Sequence, residues 1–181
     1  MLFKFDIELT ESDYLDFNIF HALESKAGKK VIKRSLTFFI IAMAIIVAAM
    51  FLTLGFTTFS VIYATCLLLF TLIYALGFKK ILTRNIKKQL NHMRKSGKLP
   101  FDPMSVQEFH SDKLLEITDT SRTETNYAAF EHICIVKNRF ILLYKNSVSA
   151  CILPMAQVTS QVNYDEFMNF LAEKFTNIEN Y

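Results

Sequence analysis

From Ser35 to Phe78 the chain carries 44 consecutive residues without Asp, Glu, Lys, Arg, His, Asn, Gln or Pro. A single helix of that length would reach about 66 Å, twice the roughly 30 Å hydrocarbon core of a bilayer. Two helices fit. The one point where Gly and several Thr cluster, Thr53-Leu54-Gly55-Phe56-Thr57-Thr58, is the natural break. The pattern predicts a first span at about 36–54 and a second at about 59–78, antiparallel because the turn is short. A buried helix of a soluble bundle would keep a polar face, and this run offers only Ser and Thr.

Outside the apolar run the periodicity changes. Phe3, Phe5, Ile7 and Leu9 alternate with Lys4, Asp6 and Glu8, the period of a half-buried strand over 2–9. Thr10, followed by Glu11 and Asp13, is a helix start, and Tyr14, Phe17, Phe20 and Leu23 then fall on one stripe. This helix is expected either to run through Ala27 and Val31 into the first span or to break at Gly28. After the second span, Leu82, Ile86, Leu90 and Met93 share a face over 79–96 and basic residues cover the rest, as in an interfacial helix. Gly97, Pro100 and Pro103 mark a linker. Short strands are expected over 106–110, 114–118, 126–136, 140–144 and 148–153. A closing helix over 164–175 places Phe167, Phe170, Leu171 and Lys174 on one face.

Short antiparallel strands followed by one amphipathic helix suggest a strongly bent sheet capped at one end, with 2–9 as an added edge strand. The expected organisation is an N-terminal strand and amphipathic helix over 1–34, a transmembrane hairpin over 35–78, a basic juxtamembrane helix and linker over 79–103, and a strand-rich domain over 104–181.

Charge sharpens this picture. The net charge of +3 hides three blocks: −5 over residues 1–25, +13 over 26–101, and −5 over 102–181. The 13 basic residues of the middle block stand on both sides of the apolar run and none stands in its turn. Lys and Arg at span ends stay on the cytoplasmic side, so both termini are expected inside. Thirty-four residues, many of them charged, stand ahead of the run and argue against a cleaved signal peptide. Anionic lipid is the nearest counter-charge for the collar, and Lys29, Lys30, Lys33, Arg34, Lys79, Lys80, Arg84, Lys87 and Lys88 are the candidate contacts. Nucleic acid is a poor fit beside a membrane span.

Candidate chemistry is sparse. No G-x-S-x-G, P-loop, G-x-G-x-x-G or H-E-x-x-H is present, and four glycines leave no phosphate-cradling loop. Cys66, Cys134 and Cys151 form an odd set without metal spacing, in keeping with a reducing compartment and with small core residues. His110 and His132 lie on expected strands that can approach each other, where Cys134 or Asp112 would complete a ligand set; alternate strand positions such as His132 and Cys134 read first as ordinary packing. The acid pairs Asp165/Glu166 and Glu11/Asp13 sit at helix starts, where capping explains them. Tyr14 and Asn18, one turn apart, read as a structural contact. No catalytic residue, cofactor or metal is expected.

The stretch Leu9-Thr10-Glu11-Ser12-Asp13-Tyr14-Leu15-Asp16-Phe17-Asn18, the hairpin, the basic stretch, Ile135–Tyr144 and Ser149-Ala150-Cys151-Ile152-Leu153-Pro154 together resemble the YcxB-like family of small bacterial membrane proteins. The likeness covers nearly the whole chain. It departs from the family pattern at Phe130, where a Trp is usual, at Met155, where a basic residue is usual, and at Gln157-Val158, where an aromatic is usual. The resemblance implies a cytoplasmic domain similar to bacterial pleckstrin-homology-like folds and implies no established activity. The expectation is therefore a non-enzymatic plasma-membrane protein presenting a binding module to a protein or lipid partner, with self-association possible. The alternative expectation is a membrane-bound immunity protein that meets a toxin.

Overall fold

The computed structural model describes residues 1–97, 99–146 and 150–181. Lys98 of the basic block and Val148 and Ser149 of an expected strand lie outside the described residues. The chain forms two compact units, Met1–Tyr14 with Leu99–Tyr181, and Leu15–Lys98.

The first unit is built on two four-stranded sheets rather than the single bent sheet expected. The first sheet runs in the order β1 (Phe3–Glu8), β2 (Met104–Phe109), β3 (Lys113–Thr118), β4 (Arg122–Asn126), all antiparallel. The second sheet has β6 (Phe140–Tyr144) between β7 (Ala150–Pro154) and β5 (His132–Val136), with β8 (Ile178–Asn180) parallel to β5 at its edge. The expected strand over 126–136 is in fact the end of β4, a 3-10 turn at Tyr127–Ala129, and β5. Strand β4, Arg-Thr-Glu-Thr-Asn, has no apolar alternation and is mostly exposed, so its pairing with β3 is what makes it a strand. Strand β6 hides its period for the opposite reason, since all five of its positions are buried. Its turn from β5 passes through Asn138 at φ 61°, a left-handed position that Asn tolerates.

One apolar cluster joins both sheets. Phe5, Ile7, Phe109 and Leu114 come from the first; Ile133, Ile135, Ile141, Leu143, Cys151 and Leu153 come from the second. Helix α5 (Tyr164–Lys174) enters this cluster with Phe167, Phe170 and Leu171. The Phe167 ring meets Phe3, Phe5 and Phe109 edge-on at centroid distances of 5.2, 4.8 and 5.1 Å. Asn163 caps the helix, its side-chain oxygen accepting from the Asp165 and Glu166 amides, and those two carboxylates sit in the first turn, where the helix dipole favours them.

A second helix was not anticipated: α4 (Met155–Gln161) follows Pro154 directly. It protects the open edge of β1. Gln157 and Gln161 lie one helical turn apart, and each amide makes two hydrogen bonds with the β1 backbone. Gln161 accepts from the Asp6 amide at 2.8 Å and donates to the Asp6 carbonyl at 2.9 Å. Gln157 does the same at Glu8, at 2.9 and 2.7 Å. The two side chains thus imitate a neighbouring strand and satisfy an edge that would otherwise be open for pairing. Between them Val158 points into the core, fully buried.

The second unit is helical. Helix α1 (Glu11–Ile19) bridges the two units in sequence. Its start is closed by Thr10, whose hydroxyl accepts from the Asp13 amide at 3.1 Å while the Asp13 carboxylate accepts from the Thr10 amide at 3.0 Å. The helix then widens into a π-turn at Phe20–Glu24, and the chain breaks at Ser25, three residues before Gly28. Ser25 is extended and buried; its hydroxyl donates to the His21 carbonyl at 2.6 Å and accepts from the Gly28 amide at 2.9 Å. Gly28 is needed for another reason than flexibility. A Cβ there would lie 2.3 Å from the His21 carbonyl oxygen and 2.5 Å from that of Ala22.

Helices α2 (Lys26–Leu54) and α3 (Thr58–Lys95) form the hairpin. Gly55 at φ 66° ends α2, and Thr57 and Ser60 form a reciprocal cap on α3. The Phe39 and Tyr74 rings meet at 4.6 Å, which sets the antiparallel register. That register places Arg34, the last charge before the apolar run, level with Lys79, the first after it. The basic stretch over 79–95 is the direct continuation of α3, not a separate interfacial helix. Nothing in Gly77-Phe78-Lys79 interrupts the backbone ladder, so α3 extends for 38 residues, about 57 Å.

Two substitutions test this architecture. Truncating a buried Phe costs about 3–5 kcal/mol, a large share of the 5–15 kcal/mol typical of a domain. Phe167→Ala should therefore lower the denaturation midpoint of the first unit sharply and open it to limited proteolysis, while the hairpin keeps its helical signal. Gly28→Ala forces a carbon against two backbone oxygens. It should cost about 1–3 kcal/mol, the range for overpacking, and speed hydrogen exchange over residues 20–29.

Candidate metal centre and basic collar

Strand β5 sends Ile133 and Ile135 into the core, so His132 and Cys134 share the opposite face of the sheet. Strand β8 lies parallel to β5 with Cys134 opposite Glu179, which places the carboxylate on that same face. The β8 pairing is held by the Ile133 amide donating to the Asn177 carbonyl at 2.9 Å and the Tyr181 amide donating to the Ile135 carbonyl at 3.0 Å. One imidazole nitrogen, the Cys134 sulfur and one Glu179 carboxylate oxygen come within 4.8 Å of one another. The Cys134 thiol donates to Glu179 Oε2 at 4.0 Å.

The neighbours of this cluster orient it. The Tyr181 hydroxyl donates to Glu179 Oε2 at 2.6 Å. The His132 ring stacks on Tyr144, its partner across the β5–β6 ladder, at 4.6 Å and 9° between planes. Cys134 is 1% exposed, while His132 and Glu179 are half-buried. Sequence reasoning singled out His132 and Cys134 and set them aside as packing. Glu179 was missed, because a three-residue parallel strand after a helix has no periodicity to read. The anticipated partner His110 is not in the cluster. It follows β2 in the other sheet, where its Nε2 lies 3.6 Å from Glu108. Cys151 projects from the core face of the second sheet, opposite to Cys134. Cys66 is exposed on α3.

The nine basic residues proposed from the sequence all lie in the helical unit and all are exposed. Lys29, Lys30, Lys33 and Arg34 occupy the first turns of α2; Lys79, Lys80, Arg84, Lys87 and Lys88 follow the apolar part of α3. The hairpin register brings the two groups to the same end, away from the Gly55 turn. Tyr14 stacks on Phe101 at 4.7 Å.

Comparisons with protein-family models, curated proteins and solved structures give no match to this chain.

Three buried acids make the first unit sensitive to alkali. Burial pushes the Tyr127 and Tyr144 phenols well above 10, helped by Asp112 at Tyr127 and by Cys134, Tyr181 and Glu179 at Tyr144. Burial likewise pushes the Cys151 thiol well above 9, with Glu116 adding to the shift. Each group holds its proton longer folded than unfolded, so the folded state binds more protons in alkali and stability falls as pH rises. Under reducing conditions the denaturation midpoint should be level through neutral pH and decline from about pH 9 upward, as the unfolded thiol and then the phenols ionise.

Proposed function

We propose that this chain is a non-enzymatic integral membrane protein. Its hairpin crosses the bacterial plasma membrane twice with both termini cytoplasmic. The unit formed by residues 1–14 and 99–181 is a pleckstrin-homology-like module that binds a protein or lipid partner at the membrane surface. The observation that carries this reading is the surface of the hairpin. Both helices are long and apolar enough to cross a membrane, and in their most apolar windows none of the α2 residues and 6% of the α3 residues are buried. A core helix of a soluble protein would be mostly buried. Phe38, Leu52, Ile73 and Leu76 instead stand exposed, as side chains that face lipid would.

Orientation follows from the collar. Basic residues flank the apolar run at one end of the hairpin, and the turn end has none, the asymmetry that retains Lys and Arg in the cytoplasm. The collar is also the natural contact for anionic head groups, each exposed Lys or Arg near the surface being worth about 1 kcal/mol. Two sheets around one core with a helix seated at their end support the pleckstrin-homology-like reading, as does the resemblance to the YcxB-like family. The parallel strand β8, which follows the helix, is an addition to that plan.

Thiol labelling tests the topology. In a chain whose own cysteines are replaced, Thr57→Cys should react with an impermeant reagent in intact cells and Ser105→Cys only after lysis. The reverse pattern would sink the reading, and so would full extraction of the protein by alkaline carbonate. For the collar, the purified protein should retain phosphatidylglycerol over phosphatidylethanolamine. Changing Lys79, Lys80 and Arg84 to Gln should reduce that preference several-fold.

A further inference from the structure

We infer that His132, Cys134 and Glu179 form a binding site for a divalent metal ion of the zinc class. In a tetrahedral zinc site, bonds of about 2.3 Å to sulfur and 2.0–2.2 Å to nitrogen or oxygen put ligand atoms roughly 3.4–3.6 Å apart. The three donor atoms already lie within 4.8 Å of one another, and the sulfur–carboxylate pair is at 4.0 Å. Closing onto a metal therefore shortens the longest of these separations by about 1.4 Å at most, which rotation of the His132 and Glu179 side chains can supply. Strand geometry fixes the rest: alternate positions on β5 and the register pair on β8 aim all three at one point.

The donor set also selects the metal. Thiolate and imidazole are soft or borderline ligands, which favour zinc, cobalt and their neighbours over magnesium or calcium. Charge balances as well. Binding displaces the thiol proton, so a thiolate, a carboxylate and a neutral imidazole surround a doubly positive ion with no net charge, an inexpensive arrangement for a site whose sulfur is buried. The surrounding contacts have the form of an outer shell. Tyr181 holds Glu179 through the oxygen nearest the sulfur, and Tyr144 fixes the plane of the His132 ring. Three protein ligands leave a fourth tetrahedral position for water or a small anionic ligand. The site does not depend on the membrane reading, and its test in detergent solution is indifferent to topology.

The probe is Co²⁺, added to the full-length protein purified in detergent under reducing conditions. One equivalent should bring up the visible bands of a tetrahedral ion and a thiolate-to-cobalt charge-transfer band, and Zn²⁺ should bleach both. Cys134→Ser should abolish the charge-transfer band, and Cys66→Ser should keep it. His132→Ala and the isosteric Glu179→Gln should each weaken binding at least tenfold. Tyr181→Phe, which removes only an outer-shell hydrogen bond, should weaken it about tenfold. Zn²⁺ should raise the thermal midpoint of the wild type and not that of Glu179→Gln, a reading that holds even if Cys134→Ser folds poorly. Absence of thiolate-ligated cobalt in the wild type would overturn the site. So would unchanged affinity in Glu179→Gln, or a charge-transfer band that survives in Cys134→Ser.

Discussion

The first unit depends on the insertion of Phe167 between strands that are far apart in sequence. Its ring meets Phe3 and Phe5 near the start of the chain and Phe109 about a hundred residues later. Neither sheet alone could bury its inner face, and the helix that carries Phe167 is formed from the last segment of the chain. Closing the core therefore requires residues 1–14 and 99–181 to be present together. Burial of aromatic area in edge-on geometry is what repays the entropy of that closure.

This requirement explains the position of the hairpin. Strands β1 and β2 pair in register from Phe3 with Phe109 to Glu8 with Met104, yet 95 residues separate their ends in sequence. Both long helices, α2 and α3, lie in that interval. The hairpin is thus an insertion within a sheet, and its two ends leave and rejoin the folded unit at neighbouring strands. The Ser25 break and its Gly28 neighbour lie within the helical unit, between α1 and α2. A rigid helix running from Glu11 to Leu54 would allow no change of direction, whereas a π-turn followed by an extended, side-chain-capped serine does.

The two candidate sites differ in how they arise. The collar is a property of composition: its residues are exposed, and its effect depends on the sum of charge rather than on any one geometry. The His132, Cys134 and Glu179 cluster is a property of pairing. Two of its members were visible as alternate residues on an expected strand, but alternate residues on a strand are a face of any sheet. Only the arrival of Glu179 from the chain end, with Tyr181 holding its carboxylate, turns that face into a ligand set.

The sequence alone determined the apolar hairpin, its break at Gly55, the charge collar, strand β1, strand β6 and the amphipathic helix that carries Phe167. Each of these leaves a local mark in the chain: a period, a charge run or, for β6, a short unbroken apolar run. Tertiary structure decided the rest. Strand β4 is too polar to announce itself and exists because β3 offers a ladder. Helix α4 is short, and its glutamines matter only because β1 has an edge to close. Strand β8 is three residues long and parallel, so its pairing requires the chain to return past a whole helix. In every case the deciding interaction is a hydrogen bond or side-chain contact between residues remote in sequence, and a local pattern holds no record of such a partner.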